Sequence, residues 1–297
     1  MSLNNKPNFF IIGAPKCGTT SLADWLRGHN NIFMSEPKEP HFFNTDSNHH
    51  SVFSLQQYQS LFESAGVEHK AIGEASVWYL ISETAVENIL AYQSEAKFIV
   101  CLRNPIEAAV SLHDQKVFSG DETITDFETA WLAQEKRKNG ELPFPPTCLD
   151  EMHYLYGESC LFGKLLQRIY QQLDQSNVLV LLMDDIKSQP ELVYRQVLSH
   201  IGVEDDGRSD FTPSNPAKQR KWMWVRRALR RVMLVKNKFG LTRGTGVGAW
   251  INRLNTVERP RQPLSNKANQ ELNTYFSEDI DLLERLLDRD LQHWKSR

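Results

Sequence analysis

Asn8-Phe9-Phe10-Ile11-Ile12-Gly13-Ala14-Pro15-Lys16-Cys17-Gly18-Thr19-Thr20-Ser21-Leu22 lies close to the start of the chain. An apolar run passes into a turn with two glycines and one lysine. Three hydroxyl residues then lead into an amphipathic segment carrying Leu22, Trp25 and Leu26. That order reads as a buried strand, a tight loop and a helix N-terminus. The first amides of a helix have no partner within it, and the helix dipole adds positive potential at that end. Such a loop cradles phosphate or a similar anion. Cys17 and Gly18 form the turn, where glycine lets the backbone approach the anion closely. Lys16 supplies charge, and Thr19, Thr20 and Ser21 supply further hydrogen bonds.

Outward from this loop, strands are expected at residues 8–13, 70–74, 97–102 and 177–183. Val178-Leu179-Val180-Leu181-Leu182 is an unbroken apolar run, which implies burial on both faces and a parallel sheet. Helical periodicity appears at 20–28, 82–92, 105–118, 157–173, 190–201 and 266–287. Strands alternating with helices argue for one α/β domain over 1–297, a central parallel sheet with helices on both faces. Residues 140–146 and 240–248 read as loops.

A chain of 297 residues, 40% hydrophobic and 24% charged, is ordinary for a soluble globular protein. Cys17, Cys101, Cys148 and Cys160 follow no metal spacing and no disulfide framework, which suits a reducing compartment. No apolar run reaches the ~18 residues of a membrane span, and the N-terminus does not read as a signal peptide. A cytoplasmic protein is expected. The net charge of −3 hides an asymmetry, because residues 211–257 hold eleven lysines and arginines and no acidic residue, leaving −14 on the rest. Within that segment Trp222, Val225, Leu229, Val232 and Val235 fall at helical spacing between arginines, so 221–238 reads as a basic amphipathic helix. It is a candidate surface for an anionic glycan or polymer, a nucleotide phosphate or a membrane surface. A helix docked by one face, with its basic face in water, explains it equally well. No base-reading motif accompanies the charge, so nucleic acid is not an expected partner.

Two further clusters carry chemistry. In Cys101-Leu102-Arg103-Asn104-Pro105-Ile106-Glu107 a strand ends, Arg103 and Asn104 turn, and Pro105 opens a helix holding Ser111 about two turns in. An arginine at the carboxyl end of a sheet strand is placed to fork onto a phosphate, since open α/β sheets bind ligands at that edge. In Glu36-Pro37-Lys38-Glu39-Pro40-His41-Phe42-Phe43-Asn44, charged residues and a histidine sit against two aromatics. That composition reads as a loop dipping into a partly apolar cleft, where a carboxylate of raised pKa serves as a general base.

Pro15-Lys16-Cys17-Gly18-Thr19-Thr20-Ser21-Leu22 resembles the 5′-phosphosulfate loop of the sulfotransferases, which use 3′-phosphoadenosine 5′-phosphosulfate (PAPS). Arg103-Asn104-Pro105 with Ser111 resembles their 3′-phosphate motif, and Glu39-Pro40-His41-Phe42-Phe43 a Glu-x-His-Phe-Phe segment of the glycosaminoglycan-type enzymes. The resemblance extends to Gly73-Glu74-Ala75-Ser76, to 157–185 and to 287–294, and is thin over 211–264. It implies a three-layer, P-loop-like fold and sulfuryl transfer from PAPS to a hydroxyl or amine of a carbohydrate or other small acceptor, without metal. By the same resemblance residues 16–21, Arg103 and Ser111 hold the donor, with Lys218 and Arg220 in a basic loop near the 3′-phosphate. Lys16 steadies the leaving group, Glu39 is the base with His41 beside it, and Glu36 and Lys38 stand as substitutes. Glu74 and Gln115 fall on the acceptor side; some members carry lysine where this chain has Ala75.

Two other readings remain open on the sequence. A P-loop kinase or NTPase has the Gly13-to-Gly18 spacing and Asp184-Asp185 as a Mg²⁺ ligand, yet requires Lys-Ser/Thr directly after the second glycine, where Thr19-Thr20 stand. A non-enzymatic module binding anionic polymers or membranes would rest on the basic segment alone.

Overall fold

A computed structural model describes residues 5–212, 219–220, 256–257 and 263–295. Five strands, β1 (Phe9–Gly13), β2 (Ile32–Met34), β3 (Ala71–Ala75), β4 (Lys97–Leu102) and β5 (Val178–Leu182), form one parallel sheet in the order β2-β3-β1-β4-β5. The helices flanking it are α1 (Thr19–Arg27), α2 (Leu55–Ser60), α3 (Ala85–Tyr92), α4 (Pro105–Ser119), α5 (Phe127–Lys138), α6 (Phe162–Gln172), α7 (Met183–Ser188), α8 (Pro190–Ile201) and α9 (Asn266–Leu287). This is the α/β architecture expected from the alternation. A two-residue pair, β6 (Gln219–Arg220) with β7 (Thr256–Val257), stands apart from the sheet. Lys218, the helix expected at 221–238 and the loop at 240–248 lie outside the described residues, and Arg220 is described by its backbone alone.

Burial explains the strand order. β1 is buried along its whole length and occupies the centre, between β3 and β4. β5 is the correction: its apolar run leads one to expect full burial, but it is an edge strand, and Leu179 and Val180 are only half-buried. From β1 the chain runs to one side for β2 and β3, then crosses to the other for β4 and β5. Ligands of open α/β sheets bind at such a reversal, beyond the carboxyl ends of the strands.

Helix boundaries follow capping chemistry. The Asn104 side chain accepts from the amides of Ile106 (3.0 Å) and Glu107 (3.3 Å), Pro105 fills the first turn of α4, and Gly120 at φ 80° ends it. Asn104 also donates to the carbonyl of Trp294 (2.9 Å), and the Trp294 indole donates to Asp184 (2.8 Å). The N-terminus of α6 is capped from another helix, as Asp279 of α9 accepts from the amides of Gly163 (2.8 Å) and Lys164 (2.9 Å).

Candidate active site

The loop holding Lys16, the turn at Arg103 and the loop holding Glu39 each lie beyond the carboxyl end of a sheet strand. The loop after β1 is fastened to the end of β4, with the Ala14 amide donating to Cys101 O at 2.7 Å. The loop holding Glu39 is fastened to the end of β3, with the Glu39 amide donating to Ala75 O at 3.0 Å and the His41 amide to Ser76 Oγ at 3.1 Å. One loop follows β1 and the other follows β2, and each is fastened to a strand that neighbours β1.

Gly18 is the N-cap of α1 at φ 90°, and a Cβ there would stand 2.8 Å from Met183 Sδ. Only glycine fits both that angle and that space. Gly18 offers no side chain to cap α1, and the first turn of the helix holds no acidic residue, so its positive end suits an anion. Thr19 is buried; Thr20 and Ser21 are half-buried. Cys17 is wholly buried, burial pushes its thiol well above the ordinary range, and it contributes backbone rather than side chain.

Lys16, in a left-handed conformation (φ 66°), donates to Gln115 Oε1 at 3.1 Å. Gln115 belongs to a series on α4, with Glu107 and Ser111, spaced four residues apart and so along one face. At the start of that face Arg103 donates through Nε (2.8 Å) and Nη2 (2.6 Å) to Glu107. One helix face thus runs from Arg103 past buried Ser111 to Lys16.

Glu39 and His41 are also left-handed (φ 65° and 48°), so three of the four non-glycine residues with positive φ among the described residues lie here. Such backbone costs about 1–3 kcal/mol each and persists where the surroundings enforce it. Directly after His41 the chain is held by the Tyr79 hydroxyl, which accepts from the amides of Phe42 (2.9 Å) and Phe43 (3.2 Å). His41 Nε2 lies 3.4 Å from Glu39 Oε2, and Lys38 Nζ donates to Glu39 Oε1 at 3.1 Å. Burial pushes the Glu39 carboxyl up, but His41 and the Lys38 charge outweigh it and hold it at about 2. The expected raised value is thus reversed in sign, because a cation stands against the carboxylate. Glu36 points elsewhere and pairs with Arg27 at 3.2 Å on the surface.

Glu74, expected on the acceptor side, is wholly buried on β3 and accepts a hydrogen bond from Tyr58. Burial raises its carboxyl. It supports the Glu39 loop from beneath and offers no surface to an acceptor. Around His41 lies a group the sequence did not reveal: its ring is 4.6 Å from that of His49, which is 4.9 Å from His153, itself stacked on Trp78 at 3.6 Å. Burial, with neighbouring positive charge, holds His49 at about 4 and His153 lower still. Nothing in the spacing of 49, 78 and 153 announces that meeting.

Asp184 and Asp185 serve the carboxyl-terminal segment, Asp184 accepting from Trp294 and Asp185 pairing with Arg289 (Nη2, 2.6 Å). Among the described residues no group of three or more His, Cys, Asp or Glu side chains is placed to hold a metal ion. Nor is any helix among them long and apolar enough to cross a membrane.

An N-terminal helix end without an acidic first turn, a lysine and an arginine along one helix face, and the Glu39 carboxylate are the chemical groups gathered here. The sulfotransferase domain family matches residues 6–277, and the chain belongs to that family. The kinase reading falls with that match. Membrane-associated sulfotransferase kil1 of Dictyostelium discoideum is 28% identical over 53% of this chain and 30% of its own length. Mouse heparan sulfate glucosamine 3-O-sulfotransferase 3A1 is 32% identical over 41% of this chain and 30% of its own. The chain therefore spans under a third of those relatives. A sulfotransferase from Alicyclobacillus acidocaldarius shares the fold, with TM-score 0.73 over 98% of this chain and 99% of that one at 23% identity.

Proposed function

We propose that this chain is an enzyme that moves a sulfuryl group from PAPS to a hydroxyl or amine of a small acceptor, with carbohydrates favoured by the name of its heparan sulfate relative. One observation carries the reading: hydrogen bonds join the three parts, Lys38 bonding both Thr20 in the first turn of α1 and the Glu39 carboxylate, and Lys16 bonding Gln115 on the face of α4 that begins beside Arg103. The residues fit the donor. The α1 end and Lys16 suit its phosphosulfate, and Arg103 with Ser111 suits a ribose phosphate. PAPS brings an activated sulfuryl group whose in-line transfer, by analogy with phosphoryl transfer, builds charge on the departing phosphate oxygen. Lys16 and the α1 amides are placed to stabilise that charge. Glu39, ionised at neutral pH, is placed to take the proton from the attacking acceptor.

Thermal unfolding tests the donor site, since a ligand that binds only folded protein raises its melting temperature. Adenosine 3′,5′-bisphosphate should raise it, with ATP-Mg²⁺ and AMP having little effect. A shift with ATP-Mg²⁺ alone, or with none of the three, would count against this reading.

A further inference from the structure

Lys38 connects two parts of the site that the transfer reaction must use together. Its Nζ donates to Thr20 Oγ1 in the first turn of α1 at 2.9 Å and to Glu39 Oε1 at 3.1 Å. The ammonium thus stands between the anion-binding helix end and the base. The Glu39 backbone is fixed by its amide bond to Ala75 O, whereas lysine is a point charge on a flexible stem that changes partners readily. Thr20 is a neutral acceptor, and a sulfonate at the α1 end is a stronger one.

We propose that Lys38 makes the base ready only when the donor is present. Without donor it bridges Thr20 and Glu39. When a sulfonate reaches the α1 end, Lys38 turns to the sulfonate oxygens and leaves Glu39. This inference rests on the sulfuryl-transfer reading and extends it to the order of events. Paired with Lys38, Glu39 is a weak base; released, it keeps its burial and loses its main cation, so its affinity for a proton rises. The acceptor oxygen then bonds to sulfur, the sulfur–oxygen bond to the bisphosphate breaks with its electron pair on the departing oxygen, and the acceptor proton passes to Glu39. Lys38 meanwhile offsets charge on the moving sulfonate.

The charged and titratable groups around Glu39 are Lys38, His41 and His49 of its own loop, with Glu74 of β3 behind His41 and Lys116 of α4 near His49. Lys38 also reaches α1, through its hydrogen bond to Thr20.

The test is a carbon-13 NMR titration of the Glu39 carboxyl, without acceptor, in the unaltered protein and in Lys38→Met. Each is measured alone, with adenosine 3′,5′-bisphosphate and with PAPS. In the unaltered protein the titration should move upward with PAPS and stay in place with the bisphosphate, which lacks the sulfonate. In Lys38→Met it should lie higher from the outset and respond to neither, and the acid limb of kcat/KM should move upward with it. Turnover should fall about 10²–10³-fold, as on removing one donor to a developing anion, with bisphosphate affinity retained. Lys38→Arg should restore the low titration. Identical titrations in both proteins, or equal movement with bisphosphate and PAPS, would overturn the gating alone. Failure of the unaltered protein to bind the bisphosphate would overturn the transfer reading and the gating with it.

Discussion

Glu39 shows what a single residue owes to its neighbours. A buried carboxylate in an apolar loop should bind its proton more tightly, yet His41 and Lys38 hold Glu39 ionised down to about 2. Sequence places Lys38 next to Glu39 but not its ammonium, because the direction of a four-carbon stem is decided by what it meets, here Thr20. The candidate base was therefore legible from its motif, and the sign of its shift was not. Glu39→Gln should lower kcat about 10²–10⁴-fold while leaving the dissociation constant of adenosine 3′,5′-bisphosphate unchanged by calorimetry. Undiminished turnover would remove Glu39 from the role of base.

Elements were legible where caps and periodicity agree. Pro190–Ile201 and Asn266–Leu287 match the expected spans, and α4 exceeds its own by one residue. The missed elements lack one signal or the other. β2 has three residues, too few for an alternation, and α7 has six directly behind an apolar strand. α5 carries an Asp126 cap on the Thr129 amide (2.8 Å), but its apolar side chains form no clear stripe. The most consequential cap is Asn104, which orders α4 and grips Trp294 O. Asn104→Ala should cost about 2 kcal/mol in urea unfolding, combining a lost cap with a lost buried hydrogen bond. An unchanged urea midpoint would show that α4 is held by packing alone.

At the scale of the molecule, a buried ion pair contributes to the response to acid. Glu122 is fully buried and accepts from Arg137 Nη1 (2.8 Å) and Nη2 (3.0 Å) and from the Tyr156 hydroxyl (2.9 Å). Burial alone would raise the carboxyl, but Arg137 and the other donors hold it below its usual range. A lowered carboxyl stabilises the fold above its unfolded pKa of about 4.3, and that contribution is lost as pH falls through the folded value. Glu122→Gln should therefore cost about 3 kcal/mol at pH 7, since it leaves a buried guanidinium without its counter-charge. The variant should also lose less stability than the parent between pH ~5 and ~3. Parallel losses in urea unfolding across that range would exclude Glu122 as the acid-sensitive group. Pairing between residues on different elements, such as Glu122 with Arg137 or Asp184 with Trp294, has no local pattern to announce it.

The bond between Asn104 and Trp294 spans 190 positions of sequence. Contacts of such separation are slow to form, because a long loop must close before they contribute. During synthesis β4 and α4 leave the ribosome long before Trp294 does, so the turn beside Arg103 waits for its last tether. A chain halted short of that tryptophan would carry the sheet and the loop after β1, while the turn at Arg103 and Asn104 lacked the bond that ties it to the far end of the sequence.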